Sequence, residues 1–188
     1  MQNKVAVCSR CPDLCEGRKN TVFGEGNPNA DVVFIGEGPG KDEDASGRPF
    51  VGAAGQFLDK IIKACGWRRE DVYIMNVVRC RPPGNRVPTD EEAANCSQFL
   101  KLQLRIIQPK VIVCLGATAC KHILGFEARM GSYRGEWFEY KDGPLTAKVR
   151  CTYHPSYILH IEDAARKKEE KDKIWEDMKS VIGELALG

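Results

Sequence analysis

The residues in this chain best suited to chemistry are its cysteines, and their spacing sorts them. Nine occur among 188 residues. Cys8-x-x-Cys11 sets two thiols close enough to grip one metal centre, and Cys80 and Cys96 add a second pair further along. Thiolates in a quartet suit structural zinc or an iron–sulfur cluster, and spacing alone does not choose between them. Cys15 can replace one member or pack beside Pro12 and Leu14. Cys65, Cys114, Cys120 and Cys151 lie among apolar neighbours and read as small core residues. An odd count with no export signal in Met1–Val7 argues against a disulfide framework.

Three further places carry chemistry-bearing residues. Gly36-Glu37-Gly38-Pro39-Gly40 fits neither G-x-G-x-x-G nor a phosphate-binding loop. Glycines this dense let the backbone approach a flat ligand and offer it N–H groups. The stretch 41–51 reads as a continuing loop with Asp42, Glu43 and Asp44, then Arg48 and Phe50. Asn76 interrupts an apolar run, and a buried amide must find partners in the backbone or on a ligand edge. His154 follows the last apolar run, in His154-Pro155-Ser156-Tyr157, where a histidine can serve a site. His122, inside a helical pattern, reads as structural.

Apolar runs at 32–36, 72–78, 111–116 and 149–153 have the Val/Ile content of strands buried on both faces. Helical periodicity covers 53–64, 118–124 and about 161–187. A Thr89-x-x-Glu92 capping box opens another helix that ends before Pro109. Strands alternating with helices predict a three-layer α/β/α sandwich around a mostly parallel four-stranded sheet. The loops after the strands then share one rim, where such sheets bind ligands. Residues 131–147 read as a hairpin or loop insertion. One domain over 1–188 is expected, with residues 1–30 as an irregular arm pinned by the cysteines. Hydrophobic residues at 43% and charged residues at 29% exclude a disordered chain. No apolar run reaches the roughly 18 residues of a membrane span. The net charge of +2 leaves nucleic-acid binding to local patches. A cytoplasmic monomer without membrane contact is expected.

Taken together and in order, Gly-Glu-Gly-Pro-Gly, Gly-Arg-Pro-Phe-Val-Gly, Asn-Val-Val-Arg-Cys-Arg-Pro-Pro and His-Pro-Ser-Tyr are specific, as no one of them is alone. With Phe23-Gly24-Glu25-Gly26-Asn27-Pro28, the sequence resembles the family 4 uracil-DNA glycosylases, the iron–sulfur branch of that superfamily, from Cys8 to about Leu159. The resemblance implies a [4Fe–4S] cluster on Cys8, Cys11, Cys80 and Cys96. It implies excision of uracil from single- or double-stranded DNA after the base is flipped out, leaving an abasic site. Phe50 then stacks on the base, Asn76 reads its O4 and N3–H edge, and Glu43 walls off thymine. The Gly36–Glu37–Gly38 turn lines the base, and His154 donates to O2. The position that carries an acid or amide in related branches is Gly38 here, which leaves Glu37, Glu43 and Asn85 as candidates to position water. Arg48, Arg79, Arg81 and Arg86 would meet phosphates. Tyr157, Ile158 and Leu159 would wedge into the base stack, with His160 standing where the family commonly has Arg. The competing expectations are a non-catalytic iron–sulfur DNA-binding module, an iron–sulfur redox protein, and a glycosylase acting on other deaminated bases.

Overall fold

A strand covered on both faces needs apolar residues at every position, whereas a one-sided strand alternates. Val32–Gly36 and Val111–Leu115 are buried along their whole length. The computed structural model describes residues 1–125, 127 and 129–187. Its helices are α1 (Gln2–Ala6), α2 (Pro12–Gly17), α3 (Lys41–Ser46), α4 (Ala53–Ala64), α5 (Asp90–Ile107), α6 (Ala117–Leu124), α7 (Met130–Tyr133), α8 (Pro155–Leu159) and α9 (Ala164–Leu187). Its strands are β1 (Glu25–Gly26), β2 (Val32–Gly36), β3 (Tyr73–Asn76), β4 (Val111–Leu115), β5 (Trp137–Asp142) and β6 (Leu145–Thr152).

The sheet has six strands in the order β1-β3-β2-β4-β6-β5. The expected parallel strands form its centre: β2 pairs with β3 and β4, and β4 with β6, all parallel. Two antiparallel edges extend it. One is the short β1 on β3; the other is β5, joined to β6 in a hairpin over 137–152 that merges the hairpin or loop insertion expected over 131–147 with the strand expected at 149–153. Alternate side chains of each strand enter opposite cores. Val33 and Ile35 pack with α5 and α6, through Leu100, Leu104 and Ile123. Val32 and Phe34 pack with α4 and α9, through Leu58, Ile62, Met178 and Val181. Both cores being apolar, the middle layer reads as unbroken hydrophobic runs.

Some boundaries differ from expectation. Residues 41–46 form α3 rather than loop, because Glu43 at its third position accepts from the Gly40 N–H at 3.1 Å and caps its start. The capping box at Thr89 is present, with Glu92 N donating to Thr89 Oγ1 at 3.1 Å and Thr89 N to Glu92 Oε2 at 2.8 Å. The last helix starts at Ala164, not Ile161. Its Asp177 is fully buried and accepts from Arg150 at 2.9 Å and from Thr152 Oγ1 at 2.8 Å, fixing α9 to β6. The arm is held by its backbone as well as its thiols: Val22 N donates to Arg79 O at 2.7 Å, and Lys19 N to Asp44 Oδ1 at 2.9 Å.

Candidate active site

β2 ends at Gly36 and β3 at Asn76, and the two residues are register partners. β6 leads two residues further to His154. β3 and β4 lie on opposite sides of β2, so the connections after β2 and β4 diverge there, and ligands gather at such a switch point. A cleft of about 260 Å³ opens on this rim. Glu37, Gly38, Glu43, Phe50, Asn76, Asn85 and His154 all line it. The sequence had scattered these over more than a hundred positions; crossovers bring them together.

Each wall has an identifiable support. Phe50 is buried and holds a left-handed backbone, with φ 50°, unusual for a bulky residue. Arg69 keeps it there: Nη1 donates to Phe50 O at 3.1 Å and Nη2 donates to Pro49 O. Arg69 is itself held by Glu25 at 2.7 Å and Asp59 at 2.6 Å. Gly55 must lack a side chain, since a Cβ there would collide with the backbone of Phe50. Asn76 is 2% exposed and its Oδ1 has no hydrogen-bond partner among the described residues. An unmatched buried acceptor costs about 1–3 kcal/mol, a cost that a ligand donor would relieve.

His154 caps α8, and its ring is fixed by the next turn. Ser156 N donates to Nδ1 at 3.1 Å, with Ser156 Oγ 2.7 Å from the same atom. An accepting Nδ1 places the proton of the neutral ring on Nε2. Burial pulls the imidazole down to about 4, only partly opposed by Glu43, so the ring is neutral near pH 7. Its centroid is 5.7 Å from that of Phe50.

The three candidates for water stand differently. Both oxygens of Glu43 are engaged by backbone: Oε2 by Gly40 N at 3.1 Å, Oε1 by Val51 N at 2.9 Å and Gly52 N at 2.8 Å. That makes Glu43 a rigid wall and a poor base. Glu37 Oε2 accepts from Thr118 Oγ1 on α6, across the switch point. Asn85 has φ 57°, which Asn tolerates well, and its Oδ1 accepts from Arg81 Nε at 2.7 Å.

The cysteine candidates come from four separate segments. Cys8 follows α1, Cys11 caps α2, Cys80 follows β3, and Cys96 lies on α5. Cys11 and Cys80 touch, with Leu14, in one small cluster. Arg18 Nη1 donates to Cys80 Sγ at 3.1 Å and to Cys15 Sγ at 3.4 Å, and Nη2 to Cys8 O at 2.8 Å. Asn95 donates to Cys11 Sγ at 3.6 Å. Burial raises the thiols of Cys11 and Cys96, and that of Cys80 to about 11. Among the described residues no three or more His, Cys, Asp or Glu are placed to hold a single metal ion. Arg79, on the same loop, is 1% exposed and forms no ion pair with a carboxylate among the described residues.

Two expectations are corrected here. Arg79 is buried and cannot reach a phosphate, whereas Arg48 and Arg86 stay at the surface, paired with Glu25 at 2.8 Å and Glu92 at 2.7 Å. The proposed wedge is a short helix, α8, in which Ile158 is fully buried and Tyr157 stacks on Tyr153 at 5.0 Å. Leu159 alone of the three is an exposed hydrophobic, at 39%. Cys114, Cys120 and Cys151 are buried as expected. Sequence reasoning missed Arg18, Arg69, Thr118 and Ser156. Only Ser156 had a signal, two residues after a strand-end histidine.

Comparison with known proteins agrees with this geometry. The sequence model of the Uracil DNA glycosylase superfamily matches residues 23–179. A type-4 uracil-DNA glycosylase of Thermotoga maritima is 49% identical over 160 residues, 85% of this chain and 81% of that protein. One of Archaeoglobus fulgidus is 44% identical, over 84% of this chain and 80% of its own. A type-5 uracil-DNA glycosylase of Pyrobaculum aerophilum is 30% identical, over 82% and 80%. With residues 23–179 matched by the family model, the chain belongs to the uracil-DNA glycosylase superfamily.

Proposed function

We propose that this protein excises uracil from DNA by hydrolysing the bond between uracil N1 and sugar C1′, leaving an abasic site. The observation that carries it is the meeting of Phe50, the unpartnered Oδ1 of Asn76 and the neutral His154 in one cleft. A base within a duplex is out of reach, so it must be extruded first. Phe50 stacks on the ring. Asn76 Oδ1 accepts from N3–H, and its amide nitrogen donates to O4. Cytosine offers a donor where uracil has O4, a mismatch worth about 1–3 kcal/mol. Glu43, locked by backbone N–H groups, forms the wall that a 5-methyl group would strike.

As the bond breaks, its electron pair passes to N1 and O2 of the base. His154 Nε2–H points charge stabilisation at O2, and an oriented donor of this kind contributes about 10²–10³ in rate. Water adds to C1′ and releases its proton to solvent. Glu37 and Asn85 line the approach and orient that water. Arg81 and Leu159 engage the backbone and the gap left by the base.

Cys8, Cys11, Cys80 and Cys96 hold a [4Fe–4S] cluster in this reading. Bound, it supplies negative charge and a pin between arm and core. The test is uracil release from a uracil-containing oligonucleotide by protein with a four-iron visible spectrum. Release is expected; protein with a full cluster and no release above buffer would refute the assignment.

A further inference from the structure

Phe50 holds a conformation that its own chemistry disfavours. Its backbone has φ 50°, in the left-handed region that costs a bulky side chain free energy. The main-chain groups on both sides of that twist are taken up by two side chains of opposite charge. Arg69 donates from Nη1 to Phe50 O at 3.1 Å and from Nη2 to Pro49 O. Glu43 Oε1 accepts from Val51 N at 2.9 Å and from Gly52 N at 2.8 Å. A cation thus grips two successive carbonyls, and an anion grips the two N–H groups that follow. Gly55 on α4 lies so close that a Cβ there would overlap the Phe50 carbonyl.

Glu43 lines the cleft, whereas Arg69 is not among its lining residues. Arg69 comes from a short 3₁₀ turn, Arg69–Asp71, that precedes β3. Two carboxylates orient it: Nε donates to Glu25 Oε1 at 2.7 Å, and Nη1 to Asp59 Oδ1 at 2.6 Å. Glu25 is fixed in turn by the pairing of β1 with β3, and its other oxygen accepts from Arg48 Nε at 2.8 Å. A lysine could pair with either carboxylate, but only the planar fork of arginine also reaches two carbonyls. We propose that Arg69 is a positioning residue for uracil recognition: through the Pro49 and Phe50 carbonyls it holds the left-handed turn that keeps the Phe50 ring in the cleft for the extruded base. The proposal rests on the stacking role given to Phe50 above. Without the fork the turn relaxes toward negative φ, and the ring leaves its seat beside His154, whose centroid is 5.7 Å away.

The test measures single-turnover uracil release from a uracil-containing oligonucleotide by wild type, Arg69→Lys, Phe50→Ala and the double variant. Arg69→Lys keeps the charge that pairs with Glu25 and Asp59, so its melting temperature should stay close to that of wild type. The enzyme concentration giving half-maximal rate should rise about tenfold, within the range set by one strained backbone residue. The maximal rate should change little, because stacking holds the base before and during bond cleavage alike. Phe50→Ala should raise the half-maximal concentration at least as much, and adding Arg69→Lys to it should have no further effect, since no ring is left to place. A wild-type value in Arg69→Lys overturns the proposal. So does an undiminished loss on adding Arg69→Lys to Phe50→Ala, which would give Arg69 a merely structural task. If Arg69→Lys does not fold, Glu25→Gln decides by the same comparison: it loosens the fork and should raise the half-maximal concentration several-fold, but only while Phe50 is present, and a wild-type value overturns the proposal. A wild type that releases no uracil fails the function proposed above, and wild-type behaviour of Phe50→Ala fails the stacking role. A wild type that releases uracil, with Arg69 and Phe50 acting independently, fails only this proposal.

Discussion

The cleft and the cysteine corner both lie beyond the end of β3, yet they are built differently. The cleft is framed by regular elements: strand ends carry Asn76 and lead to His154, and neighbouring backbone N–H groups lock Glu43 and the imidazole. Its groups are held by the protein's own backbone. The corner is framed by an arm, a loop and one face of α5, and it is joined chiefly by side chains, with Arg18 donating to the Cys80 sulfur at 3.1 Å.

The largest expected effect separates the two regions by readout. His154→Ala should lower the rate of uracil release by about 10²–10³, with only the small drop in melting temperature expected from losing the cap of α8. A collapse of the fold would show that the cleft is not self-supporting. Cys96→Ser should do the reverse first: loss of the visible band and early proteolytic cleavage within residues 1–30. Activity would decline as the arm loosens. An arm as protected as in wild type would mean that its backbone bonds alone hold it.

Smaller effects sharpen the cleft itself. Asn76→Asp should reduce uracil release and admit cytosine, with discrimination falling by about 10- to 100-fold; paired oligonucleotides differing in one base measure it. The imidazole gives a pH signature. With its folded value near 4 and the ordinary value near 6.5, activity should hold as pH falls through 6.5 and fail only near 4. Stability has the matching sign. Unfolded chains bind a proton on His154 below about 6.5 and folded ones do not until about 4, so this contribution is full above 6.5 and is lost as pH falls between the two. NMR titration of the ring nitrogens reads both. Smallest is Leu159→Ala, expected to slow release from duplex by a few-fold and leave single strands unaffected, since only duplex has a stack to enter.

Much of this was legible in the chain. The buried strands announced themselves as continuous Val and Ile, and Phe50, Asn76 and His154 each stood out against their local pattern. What stayed hidden depends on partners distant in sequence. Arg79 sits between Val78 and Cys80, beside Arg81, and looks like one more exposed arginine. Its burial is decided by Gln103 on α5 and by a backbone oxygen that accepts from it. Arg69 supports Phe50 from nineteen residues away, through carbonyls that carry no side-chain signature. The helix α3 lay concealed between Gly40 and Gly47, and only Glu43 turning back to the Gly40 N–H reveals it.

Gly36 bears on how this protein could change. A Cβ there would overlap the ring tip of Phe50 and lie 2.6 Å from Asn76 Oδ1. Even alanine at that position would therefore act as a built-in plug, competing with the visiting nucleobase for its seat. Any widening of the substrate range, by natural drift or in a directed library, has to come from walls other than this one.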